Sequence, residues 1–503
     1  MGAAVGASLA APAAELPPNR VGRVSFVSGN VELRGPAGAG WANAELNWPV
    51  FTGEALRTGP RSRGEMEIGA NTIALSDGSD IAITGLRDRV TEITLSHGRI
   101  GASLRQAGEN ESVEVSIPQG AVLLLTPGSY DIDTGSGDQT TRIAVFEGKS
   151  KFVGANSDIP ITAGHTVVLK DLDATAATVE PAAPDPFTEW CRERGYDETG
   201  LAAPYYVSAY MTGFAALDSA GTWKMSSEYG AVWLPTASAD WAPYRIGHWR
   251  WIAPWGWTWI DDQSWGFAPS HYGRWVLIDE HLAWVPGGFI ERPLYTPAVV
   301  AFLGTPGVGL SSEDGATVAW FPLAPGEAYW PSYARDVDYV RDLNRGNVED
   351  VGKISMPANG EPPLEVFDED FANRQYASVV PRSVFLNGRP VASALMTLPD
   401  QRLRDAPVLM ASPQLAPASA QQVVHATTPA VITPGTRVAV KEGRRGGRLI
   451  RTVSAQRQGR GGQTVVIRGT HLRAPSYAGP AHGRQVIVLH VAQPHGGGRR
   501  AHG

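Results

Sequence analysis

A single cysteine, Cys191, in 503 residues excludes an intrachain disulfide and any thiolate metal site. Charged residues are scarce, 18% of the chain, against about a quarter in average usage. With 57 glycines and 38 prolines the chain is interrupted too often for long helices to dominate. No stretch offers the ~20 uninterrupted apolar residues of a membrane-spanning helix. Catalytic signatures are missing as well. There is no Gly-x-Gly-x-x-Gly after a strand, no Gly-x-x-x-x-Gly-Lys-Ser/Thr, no Gly-x-Ser-x-Gly and no His-Glu-x-x-His. These absences point to a chain that is not an enzyme and holds no cofactor and no metal.

What is present is tryptophan. There are 16, and eleven of them lie between Trp223 and Trp284. The charge is also unevenly placed: from Val431 to Gly503 there are thirteen Lys/Arg against the single acid Glu442, so an acidic body carries a basic tail. Arginine-glycine runs of this kind contact polyanions by releasing counterions. Residues 2–14 are small and mildly apolar and end in Ala-Pro-Ala, which suits a signal-peptidase site although no Lys or Arg precedes it. Residues 1–18 are therefore read as the remnant of a signal peptide, and the protein as exported or periplasmic.

From Val21 to Lys170 short apolar alternations recur, among them Met66 and Ile68, Ile73 and Leu75, Ile81 and Ile83, and Val113, Val115 and Ile117. Ser76-Asp77-Gly78, Ser96-His97-Gly98 and Glu147-Gly148 supply turns between them. Period-two alternation with such punctuation predicts an all-β domain over 19–170, a sandwich or a solenoid. The segments RVGRVSFVSGNVELR and VFTGEALRTGPRSRGEMEIGANTIALSDGSDIAI resemble the FecR domain, with its Gly-Val strand, Gly-x-x-Leu-x-Thr-Gly turn and following hairpin. FecR relays a periplasmic signal to a sigma factor. This chain shows neither an anti-sigma segment nor a spanning helix, so the resemblance implies the domain more than the signalling.

An Ala/Pro-rich linker follows over 171–204. Within it Asp185 as N-cap, Pro186 at the first helical position and Gly195 as stop frame one short helix, with Trp190 as its anchor to a neighbouring domain. The tryptophan segment, 205–290, then repeats. Gly221-Thr-Trp223, Gly247-His-Trp249 and Gly273-Arg-Trp275 are spaced by 26 residues, and Trp233, Trp259 and Trp284 follow at ten, ten and nine residues. A unit of that length with two apolar runs and a central turn is one β-hairpin, stable only when stacked. The region from Tyr205 to Ala392 is similar to a tryptophan-rich domain of unknown function in exported bacterial proteins, often found after a FecR-like domain. Residues 291–395 are read as its extension and 396–503 as a disordered tail, Pro/Ala/Gln-rich and then Arg/Gly-rich. The fold class is mainly β with short helices.

Asp261-Asp262 could suggest the carboxylate pair of a glycosidase, but adjacent strand residues point to opposite faces and cannot flank one bond. His248 and His271 have matched surroundings, and structural imidazoles bonded to backbone carbonyls explain them better than a shared metal does. The six indoles in register (Trp223, Trp233, Trp249, Trp259, Trp275, Trp284) suit a hairpin core, since each buries a large area. Aromatics outside the register, Trp255, Trp265, Tyr244 and Tyr272, are the candidates for exposed contacts. The resulting expectation is a non-catalytic envelope interaction or scaffold protein whose partner is an envelope protein or glycan. A peptidoglycan binder using exposed aromatics and a FecR-type regulator are the alternatives; the first requires a row of solvent-facing indoles.

Overall fold

The computed structural model describes residues 16–417 apart from 37–39, 88, 106–110, 136–139, 156, 171–176, 196–200, 239, 313–314, 356–370, 414 and 416, together with the backbone of three strands between 437 and 470. Two units result, Met1–Val424 and His425–Gly503. The expected leader lies outside the described residues except for its last three.

The N-terminal alternations become a sandwich of two nine-stranded sheets. One is edged by Ala177–Pro181 and Pro49–Val50, the other by Asp158–Thr162 and Ala42–Asn43. Pairing is antiparallel between hairpin neighbours and parallel where Ser112–Ile117 joins Val90–His97. Met66, Ile73, Ile100 and Ile143 from the first sheet meet Leu56, Ile81, Val115 and Phe152 from the second in one buried core. Each such side chain contributes about 1.5–3 kcal/mol by leaving water. At Gly98, with φ +88°, a Cβ would lie 2.5 Å from the Cα of Ser79, so this turn admits only glycine. The domain runs past its predicted end, because Ala177–Pro181 pairs with His165–Leu169.

The linker helix forms as its caps dictate, over Pro186–Arg194. The carboxylate of Asp185 accepts the N–H groups of Phe187 and Thr188, and the Thr188 hydroxyl in turn accepts the Asp185 backbone N–H. Trp190 anchors it to the sandwich, 5.5 Å from the Phe26 ring and capped by the Arg63 guanidinium.

Three hairpins follow at the 26-residue period: Gly221–Ser226 with Gly230–Pro235, Gly247–Ile252 with Gly256–Asp261, and Arg274–Ile278 with His281–Val285. Their registers place Trp223 opposite Trp233, Trp249 opposite Trp259 and Trp275 opposite Trp284. The first and third hairpins share a four-stranded sheet, and the second forms a two-stranded sheet of its own. The repeated Gly-x-Trp has a steric cause. A Cβ on Gly221, Gly247 or Gly273 would stand 2.5, 2.6 or 2.5 Å from the indole of Trp233, Trp259 or Trp284. Glycine is the residue over which the opposing indole can lie.

The extension adds a sheet in which Gly315–Pro322 pairs with Val300–Leu303 and Leu310–Ser312 along one edge and with Ser378–Pro381 along the other. Its Trp320 ring packs 5.4 Å from that of Trp249. The fold does not stop at 396 as expected. Helix Asp400–Asp405 follows, Val408–Leu409 closes an edge of the extension's sheet, and the carbonyl of Leu415 accepts the Trp257 N–H at 3.0 Å. The apolar run Val408-Leu409-Met410 is too short to show a period, and its Ala/Pro/Gln surroundings conceal it. In the second unit, where no sustained order was expected, the backbone of Arg437–Arg445, Arg448–Gln458 and Thr464–Thr470 pairs as an antiparallel sheet.

Gly247→Ala should cost about 1–3 kcal/mol through overpacking, whereas Met225→Ala at a solvent-facing strand position should stay within about 0.5 kcal/mol. Urea denaturation of the two variants checks the difference.

Candidate functional site

The four aromatics expected at the surface are buried. Trp255 is 1% exposed and meets Phe51 and Tyr295 edge-on; Trp265 lies between Trp233 and Trp241. The Tyr244 hydroxyl donates to the Ser270 carbonyl and accepts the Val299 N–H, and Tyr272 packs near Tyr295. Hairpin periodicity counts only the side chains that one hairpin turns inward. It is blind to the second layer, here the N-terminal sandwich and the extension, which covers the residues left over. The in-register indoles are core as expected, with Trp233, Trp249, Trp259, Trp275 and Trp284 at 1% exposure or less and Trp223 partly buried. Most find an acceptor for the indole N–H, as burial requires: Trp233 on the Leu217 carbonyl, Trp275 on that of Pro269, Trp284 on that of Tyr272.

Buried polar chemistry concentrates at the seam between sandwich and hairpins, which sequence reasoning missed. At its centre Arg23 and Glu67, 2% and 1% exposed, pair at 2.7 Å. Arg23 also donates to Asn47 and to the Ser264 carbonyl, and Glu67 accepts the Gly213 N–H at 2.9 Å. Asn47 donates to the carbonyls of Asp261 and Gln263, both at 2.8 Å. Thr212 bridges the Val21 carbonyl and the Gly69 N–H.

Beside this centre, the segment from Glu45 to Glu54 grips the middle hairpin. Glu45 accepts from Arg250 and from His248 Nε2 at 2.9 Å, while His248 Nδ1 faces Asp262 at 3.4 Å. Acids are therefore placed around His248, contrary to expectation: Asp262 from the end of its own hairpin, and Glu45 from a segment some two hundred residues away in sequence. Burial lowers the His248 pKa, but bonds to Asp262 and Glu45 outweigh it and the net shift is upward. His271 is different: its Nδ1 lies 2.7 Å from the Thr296 carbonyl, and burial takes its pKa down to about 3. It is the structural imidazole expected.

Asp261 and Asp262 face different surroundings. Asp261 is buried, its carboxyl accepting from Trp259 and the Gln263 N–H, and burial pushes its pKa up to about 7; Asp262 is half-exposed. Glu54 is also buried, accepting from Trp48 and the Phe51 N–H, and burial pushes it up to about 8. A separate cleft between Tyr206–Met211, His271–Arg274 and the Pro286–Ile290 and Asp342–Asn347 loops encloses a cavity of about 40 Å³. That is room for a water or two and not for an organic substrate. Tyr205 and Phe289, 85% and 70% exposed, stand at or beside its rim.

Residues 214–327 match a family of unknown function, DUF6600. The match covers the three hairpins and the start of the extension. Among solved structures, two crystal structures of a protein assigned as an anti-sigma factor from Parabacteroides distasonis, at 2.50 and 1.65 Å resolution, are each 12% identical with a TM-score of 0.25. Each alignment covers 27% of this chain and a little under two thirds of the other, 63% and 64%. No curated protein matches.

Glu67→Ala leaves the Arg23 guanidinium buried without its counter-charge and should cost about 3–5 kcal/mol. Arg192→Ala, which removes a solvent-screened exposed pair with Glu189, should leave the denaturation midpoint essentially unmoved; chemical denaturation of both checks the contrast.

Proposed function

We propose that the protein is a non-catalytic, exported envelope scaffold in which the sandwich and the tryptophan-rich domain act as one rigid body. The observation that carries this reading is the seam. Charged and polar groups withdrawn from water on both sides are satisfied only when the two domains are joined, so the pair offers its partners a fixed arrangement of surfaces. The glycan-binding alternative loses its basis, because the indoles that would form an aromatic platform are packed against one another and against the sandwich. Exposed apolar area lies elsewhere, at Tyr205, Phe289 and Met225. Such positions suit a protein partner, since exposed aromatics supply contact area with little rotamer entropy to lose. The basic tail adds a polyanion contact that weakens steeply with salt.

Intrinsic fluorescence with acrylamide tests the reading. Weak quenching, unchanged by peptidoglycan fragments, is expected of a tryptophan core. Strong quenching relieved by those fragments would replace the scaffold with a glycan binder.

A further inference from the structure

Segment 45–54 concentrates most of what the sandwich presents to the middle hairpin. Glu45 takes His248 and Arg250, Asn47 takes two backbone carbonyls, Trp48 packs into both cores and Phe51 meets Trp255 at 5.0 Å between ring centroids. Two features of this contact depend on protons. His248 has a carboxylate at each ring nitrogen, Glu45 at Nε2 and Asp262 at Nδ1. A neutral imidazole carries one N–H and would set its remaining lone pair against a carboxylate, so the geometry suits the imidazolium. Glu54 and Asp261 each sit buried with two N–H donors, and among the described residues neither has a cation within ion-pair distance.

We propose that segment 45–54 is a pH-sensitive latch, closed on the middle hairpin in mild acid and loosened in mild alkali, with the imidazolium of His248 between Glu45 and Asp262 and the carboxyls of Glu54 and Asp261 as its proton-holding groups. The groups facing them are few. His248 is flanked by Glu45 and Asp262, with Asp261 behind it and Arg250 opposing its charge. Asp261 faces Trp259, the Gln263 N–H, Asp262 and His248. Glu54 faces Trp48, the Phe51 N–H and, from the other domain, Tyr295.

All three groups are held above their ordinary values: Glu54 at about 8, Asp261 at about 7, and His248 raised. The folded seam therefore binds protons that the unfolded chain has released, so its stability is fullest in acid and falls as pH rises to about 8. Ionisation brings two negative charges into a low-dielectric seam beside Asp262 while the one titrating cation disappears. The latch rests on the same seam as the scaffold reading, as its pH limit, and the two fail separately: equal protection of the seam at pH 6 and pH 9 overturns the latch and leaves the rigid body standing.

Hydrogen exchange by mass spectrometry, corrected for the intrinsic pH dependence of exchange, tests it on the full chain. Between pH 6 and pH 9, peptides spanning 43–56 and 245–263 should lose about tenfold or more in protection, while peptides of the sandwich core at 111–125 hold theirs. The double variant Glu54→Gln, Asp261→Asn should flatten that response. If segment 45–54 responds no more than the core, or if the double variant responds like the parent, the latch is overturned. Asp262→Asn, a half-exposed change suited to the case where the double variant does not fold, should move the loosening midpoint to lower pH. An unmoved midpoint would remove His248 from the mechanism.

Discussion

Two opposite charges withdrawn from water together, Arg23 and Glu67, set the terms for the rest of the molecule. Moving an ion pair into a low-dielectric interior is favourable only when every remaining donor and lone pair finds a partner. The sandwich cannot supply them all. Arg23 needs the Ser264 carbonyl and Glu67 the Gly213 N–H, both from the tryptophan-rich domain, while Asn47 reaches across to Asp261 and Gln263. The domains are therefore joined by polar groups that neither satisfies alone. Specificity of registration follows, because a slip of one residue at the seam would strand a buried charge.

The tryptophans complete what the polar centre begins. A hairpin of two six-residue strands has few inward positions, and an indole covers more area per position than any other side chain. Glycine two residues ahead of each first tryptophan opens the space for the indole opposite, so the repeat is a packing device as much as a pattern. One continuous core then runs from Val21 and Phe51 of the sandwich through the hairpins to Trp320 and Phe385 of the extension. The interior that might have been a binding face is the means by which three layers adhere.

Much of the fold was legible in the sequence. Alternation located the sandwich strands, the cap residues framed the linker helix, and the 26-residue spacing placed three hairpins whose registers oppose the predicted tryptophans. The seam was not legible, because its partners are as much as 241 residues apart. One local sign was available. In the strand Arg63–Ile68, Met66 and Ile68 turn into the sandwich, which leaves Glu65 and Glu67 on the outer face, yet both are buried. Acids at such positions face either solvent or another domain, and sequence alone does not separate the two. The same blindness to a second layer assigned Trp255, Trp265, Tyr244 and Tyr272 to the surface, and flanking low-complexity sequence hid Val408-Leu409 from view.

The central claim is that sandwich and hairpins form one rigid body. It is tested most directly by a distance distribution between spin labels placed at Leu125→Cys and Met225→Cys, both exposed positions on the two domains. Cys191, free and only partly buried, is first replaced by Cys191→Ser so that the two introduced thiols alone carry the label. At pH 6 a single narrow distance is predicted. A broad or multi-peaked distribution under the same conditions would contradict the account.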